Sequence, residues 1–140
     1  MPVVDASVVV DLVAPDVGPG SSAARMIDKL MAGGADITAP ALVLLETSNA
    51  LLTGIRRGRW DGAAADGAAA RLGRLPLRIA DVSEDRERAF ELARRYDNWP
   101  VYDMVYVALA ERLGTEFYTA DGRLLARLAH LPWVRGLDTG

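Results

Sequence analysis

The chain has 140 residues, 51% of them hydrophobic and 25% charged, a net charge of −3 and no cysteine. That is enough for one domain, 1–140, with a substantial core. It excludes a disulfide scaffold, thiolate metal sites and a globally basic nucleic-acid binder. No stretch reaches the roughly 18 uninterrupted apolar residues of a membrane helix.

The N-terminus, "MPVVDASVVVDLVAP", lacks a basic start, and Asp5 and Asp11 interrupt its apolar run. We read it as mature structure rather than a signal peptide and expect a cytoplasmic protein. "PVVD" (2–5) reads as a strand and 7–13 as a helix, followed by a second helix near 19–33. "DITA" (36–39) is the next strand, ahead of helices near 41–57 and 61–74. "LRIAD" (77–81) is a third strand, and Ser83 followed by Glu84 and Asp85 reads as an N-cap with acids favouring the first turn of a helix at 84–96. Pro100 precedes a helix at 102–113 that Gly114 closes. "EFYTAD" (116–121), a helix at 122–129 and "WVRGL" (133–137) complete the chain. Strands separated by helical crossovers predict an α/β domain with a mainly parallel central sheet between helical layers. Trp60, Tyr96, Trp99 and Trp133 suit the core or an interface, and we expect the core.

One irregularity recurs in this pattern. The helix "VYDMVYVALAERLG" is apolar on nearly every side yet carries Asp103 in its first turn. A single such acid has an ordinary explanation as a partner of the helix dipole. But Asp5 ends the first strand, Asp121 follows the fourth, and Glu46 sits inside "PALVLLETSNALL" with Leu42, Leu45, Ala50 and Leu52 around it. The carboxyl ends of strands are where ligands bind in parallel α/β sheets. Were Asp5, Glu46, Asp103 and Asp121 to meet, they would repel one another unless protons stay bound or a cation enters. Oxygen donors suit Mg²⁺ or Mn²⁺, whereas zero cysteines and a single histidine, His130, speak against zinc and haem sites. Such ions activate water and neutralise charge in phosphodiester cleavage, which requires no histidine. Ser7 and Thr119, each two residues from its acid, are supporting candidates that orient a carboxylate or a bound water; Ser7 also suits the first helix as its cap. Arg123 is placed to balance the pocket or meet a phosphate, or to lie on the surface.

Four segments, "VVDASVVVDLV", "APALVLLETSNAL", "VYDMVYVALAERLG" and "FYTADGRLL", resemble the motifs of PIN-domain ribonucleases, specifically the VapC-type toxins of bacterial toxin-antitoxin pairs, in the expected order over almost the whole chain. The resemblance implies a three-layer α/β/α fold and a metal-dependent endoribonuclease in which Asp5, Glu46, Asp103 and Asp121 form the acidic quartet. It implies an RNA substrate, a homodimer and a cognate antitoxin covering the active site. Met104 departs from the small residue usual after the third acid. Two other readings compete. A Mg²⁺-dependent phosphotransfer domain needs a suitably placed lysine, and Lys29, the single lysine, lies in a polar helical stretch. A catalytically inert PIN-like binding module would usually have lost part of the quartet.

Overall fold

A computed structural model describes residues 1–137. Five short strands, β1 (Val3–Val4), β2 (Thr38–Ala39), β3 (Arg78–Ile79), β4 (Phe117–Tyr118) and β5 (Val134–Arg135), form one sheet in the order β3-β2-β1-β4-β5. Every pairing is parallel; Val3 stands opposite Thr38 on one side and Phe117 on the other. Parallel neighbours cannot be joined by a tight turn, so helices carry each crossover. α1 (Ala6–Val13) and α2 (Ser22–Ala32) connect β1 to β2, and α3 (Leu42–Arg56) and α4 (Gly62–Arg74) connect β2 to β3. α5 (Ser83–Arg95) and α6 (Val101–Leu113) lead to β4, and α7 (Gly122–Arg127) leads to β5. The result is the expected three-layer α/β/α arrangement. From β1 the sheet grows one way through β2 and β3 and the other way through β4 and β5, which places the topological switch between β1 and β4. The loops after those two strands carry Asp5 and Asp121.

The strands are shorter than the β-branched runs suggest because acids at their ends leave the ladder to cap helices. Asp5, with extended backbone (φ −97°, ψ 179°), is the N-cap of α1, and Asp121 is the N-cap of α7. Ser7 therefore lies inside α1 rather than capping it. Ser83 is likewise the first residue of α5, whose N-cap is Val82 without a side-chain bond, so the expected cap there is absent. Asp85 does more than favour the first turn: it is buried, and Arg112 of α6 grips it with two hydrogen bonds of 2.8 and 3.0 Å.

Val3, Val4, Val8, Val9 and Phe117 are fully buried around the central strands, as parallel strands covered on both faces require. Met104, Tyr106, Val107, Leu109 and Ala110 are buried as well, because α6 rests on β1 and β4 and is flanked along its length by α5. This explains its nearly all-round apolar sequence. Burying a large side chain of this kind contributes about 2 kcal/mol. Met104, the departure from the family pattern, fills part of this core. Gly114 ends α6 in the left-handed region, at φ 63°. On α3, by contrast, Leu45 and Leu52 are exposed at 73% and 54%, so they do not enclose Glu46 as its sequence setting suggests.

Candidate active site

Asp5 is the most buried of the four acids, only 5% exposed. Leaving β1 to cap α1, it accepts the backbone N–H of Val8 on Oδ1, where the Ser7 hydroxyl also donates. The Thr119 hydroxyl donates to Oδ2 at 2.6 Å, bridging from the end of β4. Both hydroxyls are held in turn: Ser7 Oγ accepts the Ala120 N–H at 2.8 Å and Thr119 Oγ1 accepts the Asp121 N–H at 3.0 Å. The two supporting residues thus lock the loop after β4 onto the loop after β1. Asp121 accepts the backbone N–H groups of Arg123 and Leu124 on Oδ1, at 3.0 and 3.2 Å. Arg123 itself is exposed.

Glu46 and Asp103 come from helices. The start of α3 has no cap of its own; Asp81, at the end of β3, accepts the Ala41 N–H at 3.1 Å and fixes where α3 begins. From the second turn of α3, Glu46 Oε1 accepts the hydroxyl of the buried Tyr106. Asp103 Oδ2 accepts the indole N–H of Trp99 at 2.7 Å. Tyr106 and Trp99 are contacts the sequence reading missed, since an aromatic residue at a core-like position carries no sign that its polar edge serves an acid. Trp99 is only partly buried, unlike Trp60 and Tyr96, which are in the core as expected. His130 bonds to the Tyr96 hydroxyl at 2.9 Å and takes no part in the site.

The electrostatics bring the four together. Burial pushes the Asp5 carboxyl up to about 6, against the opposing pull of the Ser7, Thr119 and Val8 hydrogen bonds, and the charge of Asp103 adds to the rise. Glu46 is raised by burial, with the Tyr106 bond opposing and Asp103 again adding. Asp103 is raised by burial, with the Trp99 bond opposing and Asp121 adding. Asp103 is therefore the hub that feels or is felt by the other three. The Tyr106 hydroxyl is driven upward by burial first, then by its bond to Glu46 and the charges of Glu46, Asp5 and Asp103.

Every donor to these acids is neutral: two hydroxyls, a phenol, an indole and backbone amides. None of the four joins an ion pair among the described residues. Asp103 Oδ1, Glu46 Oε2 and Asp121 Oδ2 have no hydrogen-bond partner there. The negative charge is held in place and left uncompensated, with oxygen atoms to spare, which is the donor chemistry a hard divalent cation takes. Among the described residues no three acids or histidines stand close enough to hold one ion directly. A Mg²⁺-type site is compatible with that, since such ions keep several waters and use only one or two carboxylates directly.

The sequence pattern of the PIN domain matches residues 3–131. The fold is similar to that of PAE2754 from Pyrobaculum aerophilum, with a TM-score of 0.69 and 23% identity over 96% of this chain and 87% of that one. It is also similar to that of Mycobacterium tuberculosis VapC20, a sarcin-ricin loop cleaving toxin, with a TM-score of 0.61 and 24% identity over 90% of this chain and 94% of the toxin. No curated protein gives a significant match. A pattern covering nearly the whole chain, on a parallel sheet whose switch-point loops carry Asp5 and Asp121, establishes that this protein belongs to the PIN-domain family.

Proposed function

We propose that this protein is a metal-dependent endoribonuclease of the VapC type, the toxin of a toxin-antitoxin pair. The observation that carries the reading is the set of four acids held only by neutral donors, three of them with an unclaimed oxygen, with Asp5 and Asp121 in the loops at the switch point of the sheet and Glu46 and Asp103 on α3 and α6. Likeness to a toxin that cleaves the sarcin-ricin loop supports RNA as the substrate class.

Asp5 and Asp103 are the primary ligands for Mg²⁺ or Mn²⁺, with Glu46 and Asp121 contributing directly or through water. When bound, such an ion supplies an activated water and offsets charge at the cleaved phosphate. The protein's own part is orientation. Ser7 and Thr119 hold Asp5 rigidly, Tyr106 fixes the reach of Glu46 from α3, and the Asp121 cap ties the loop after β4 to α7. Oxygens that face a cation in fixed positions avoid reorganising when charge develops. The reading extends to a cytoplasmic homodimer whose cognate antitoxin covers the acids.

The test is RNA cleavage by purified protein with Mg²⁺ or Mn²⁺, with EDTA, and with the Asp5→Asn and Asp103→Asn variants, beside growth of cells expressing each form. Cleavage that needs the ion and both carboxylates supports the proposal. Cleavage persisting in EDTA or in both variants would refute it.

A further inference from the structure

Trp99 reaches Asp103 through a segment whose backbone is built for that purpose. Between α5 and α6, Asp97 and Asn98 occupy the left-handed region in succession, at φ 57° and 61°. Residues other than glycine seldom adopt it, and Asn and Asp tolerate it best. The segment is tied on three sides. Arg94 donates to Asn98 Oδ1, Arg127 reaches Asp97 Oδ2 at 3.3 Å, and the Trp99 backbone N–H donates to Ala93 O at 3.1 Å. The reversal delivers the indole to Asp103 Oδ2 at 2.7 Å.

Asp103 has a competing place to go. An acid in the first turn of a helix is drawn to the unpaired N–H groups of that helix's own terminus. The N-cap of α6 is Pro100, which has no N–H, so the reciprocal bond of a capping box is unavailable. Nothing at the terminus holds the carboxylate, and the indole does. An indole N–H is rigid, donates one hydrogen bond and carries no charge, so it pins Oδ2 without cancelling the carboxylate. Oδ1 is left without a partner among the described residues.

We propose that Trp99 is a positioning residue that aims Asp103 Oδ1 at the divalent cation, with the left-handed pair Asp97-Asn98 as the device that places the indole. The significance of Asp103 rests on the nuclease reading above; the placement of its carboxylate by Trp99 does not.

The test uses the full chain. In metal-free wild type, the Trp99 indole N–H should exchange with solvent slowly in NMR, and Asp103→Ala should speed its exchange by more than about tenfold, the loss of one hydrogen bond's worth of protection. Trp99→Phe keeps an aromatic ring at the position and removes the donor. It should weaken Mn²⁺ binding measured by calorimetry without RNA by about tenfold, the low end for losing the partner of a metal-binding carboxylate, and lower kcat while KM for RNA stays within about twofold. An indole N–H that exchanges freely in wild type overturns the proposal. So does a Trp99→Phe variant with wild-type Mn²⁺ affinity and kcat, including the case in which Trp99→Ala raises only KM and the residue is an RNA contact. Should wild type bind no Mn²⁺ and cut no RNA while the indole stays protected by Asp103, the nuclease reading fails and the placement of Asp103 stands.

Discussion

Tyr106 of α6 donates its hydroxyl to Glu46 of α3, joining two residues 60 positions apart in the chain through one hydrogen bond from an uncharged donor. Its ring stacks on Phe117 of β4, with centroids 6.3 Å apart and planes inclined by 17°. The ring belongs to the core and the hydroxyl to the site. Tyr106→Phe should therefore preserve the packing and cost about 1 kcal/mol of stability, while releasing Glu46 and lowering the cleavage rate. Denaturant unfolding beside single-turnover cleavage separates the two effects; unchanged cleavage would assign the bond to stability alone.

Asp5 should make the metal-free protein less stable as the solution becomes less acidic. Its carboxyl stands at about 6 when folded against 3.8 ordinarily, so the folded chain holds an extra proton between those values. The contribution is fully present below pH 3.8 and is lost as pH rises through 6, leaving a penalty of about 3 kcal/mol at pH 7. In EDTA, Asp5→Asn should be more stable than wild type at pH 7, and the difference should shrink toward pH 4. Thermal unfolding across that range checks the sign. A variant less stable than wild type at pH 7 would show that the hydroxyl bonds from Ser7 and Thr119 outweigh burial.

Added Mn²⁺ or Mg²⁺ should stabilise the wild type. At one hundred times its dissociation constant an ion contributes about 2.7 kcal/mol through mass action. Asp103→Asn should lose most of this response, because Asp103 couples to each of the other acids. Unfolding with and without the ion measures it, and an equal response in the variant would remove Asp103 from the ligand set.

Gly54→Ala tests a packing contact away from the site. A Cβ there would lie 2.1 Å from the indole of Trp60, which is buried and donates its N–H to Leu51 O at 2.9 Å. Alanine ordinarily favours a helix by about 1 kcal/mol over glycine, but displacing a buried indole costs more. We expect a net loss of about 2 kcal/mol, read by denaturant unfolding, with metal binding unchanged.

Arg112→Met should be costly for a different reason. It leaves Asp85, buried on the facing helix, without the two hydrogen bonds it now accepts. Arg112 itself is exposed, so the loss is that of leaving the buried Asp85 without these partners, about 2 kcal/mol. The variant Asp85→Asn with Arg112→Met should recover part of the loss, which a double-mutant cycle quantifies.

What the chain determines by itself is the order and type of its elements. β-branched runs bounded by acids, Pro100 ahead of α6 and Gly114 behind it act through neighbouring residues, so each strand and helix was readable along the line. The four acids stood out as anomalies too, since a carboxylate in an apolar segment is unusual wherever the segment ends up. The spacing found Ser7 beside Asp5, but it assigned Thr119 to Asp121, whereas the Thr119 hydroxyl donates to Asp5 across the sheet and only accepts the Asp121 backbone N–H.

Partners distant in the chain were decided only by the tertiary structure. Tyr106 looks like a core aromatic, and only the fold shows that its hydroxyl ends on Glu46, 60 residues away. Asp85 reads as a first-turn acid until Arg112 is brought against it from α6. Leu45 and Leu52 read as a shell around Glu46 until the direction of α3 turns them to solvent. In each case the deciding quantity is which face of an element meets another. Local sequence cannot supply it, because hydrogen bonding and burial depend on positions in space that crossovers tens of residues long bring together.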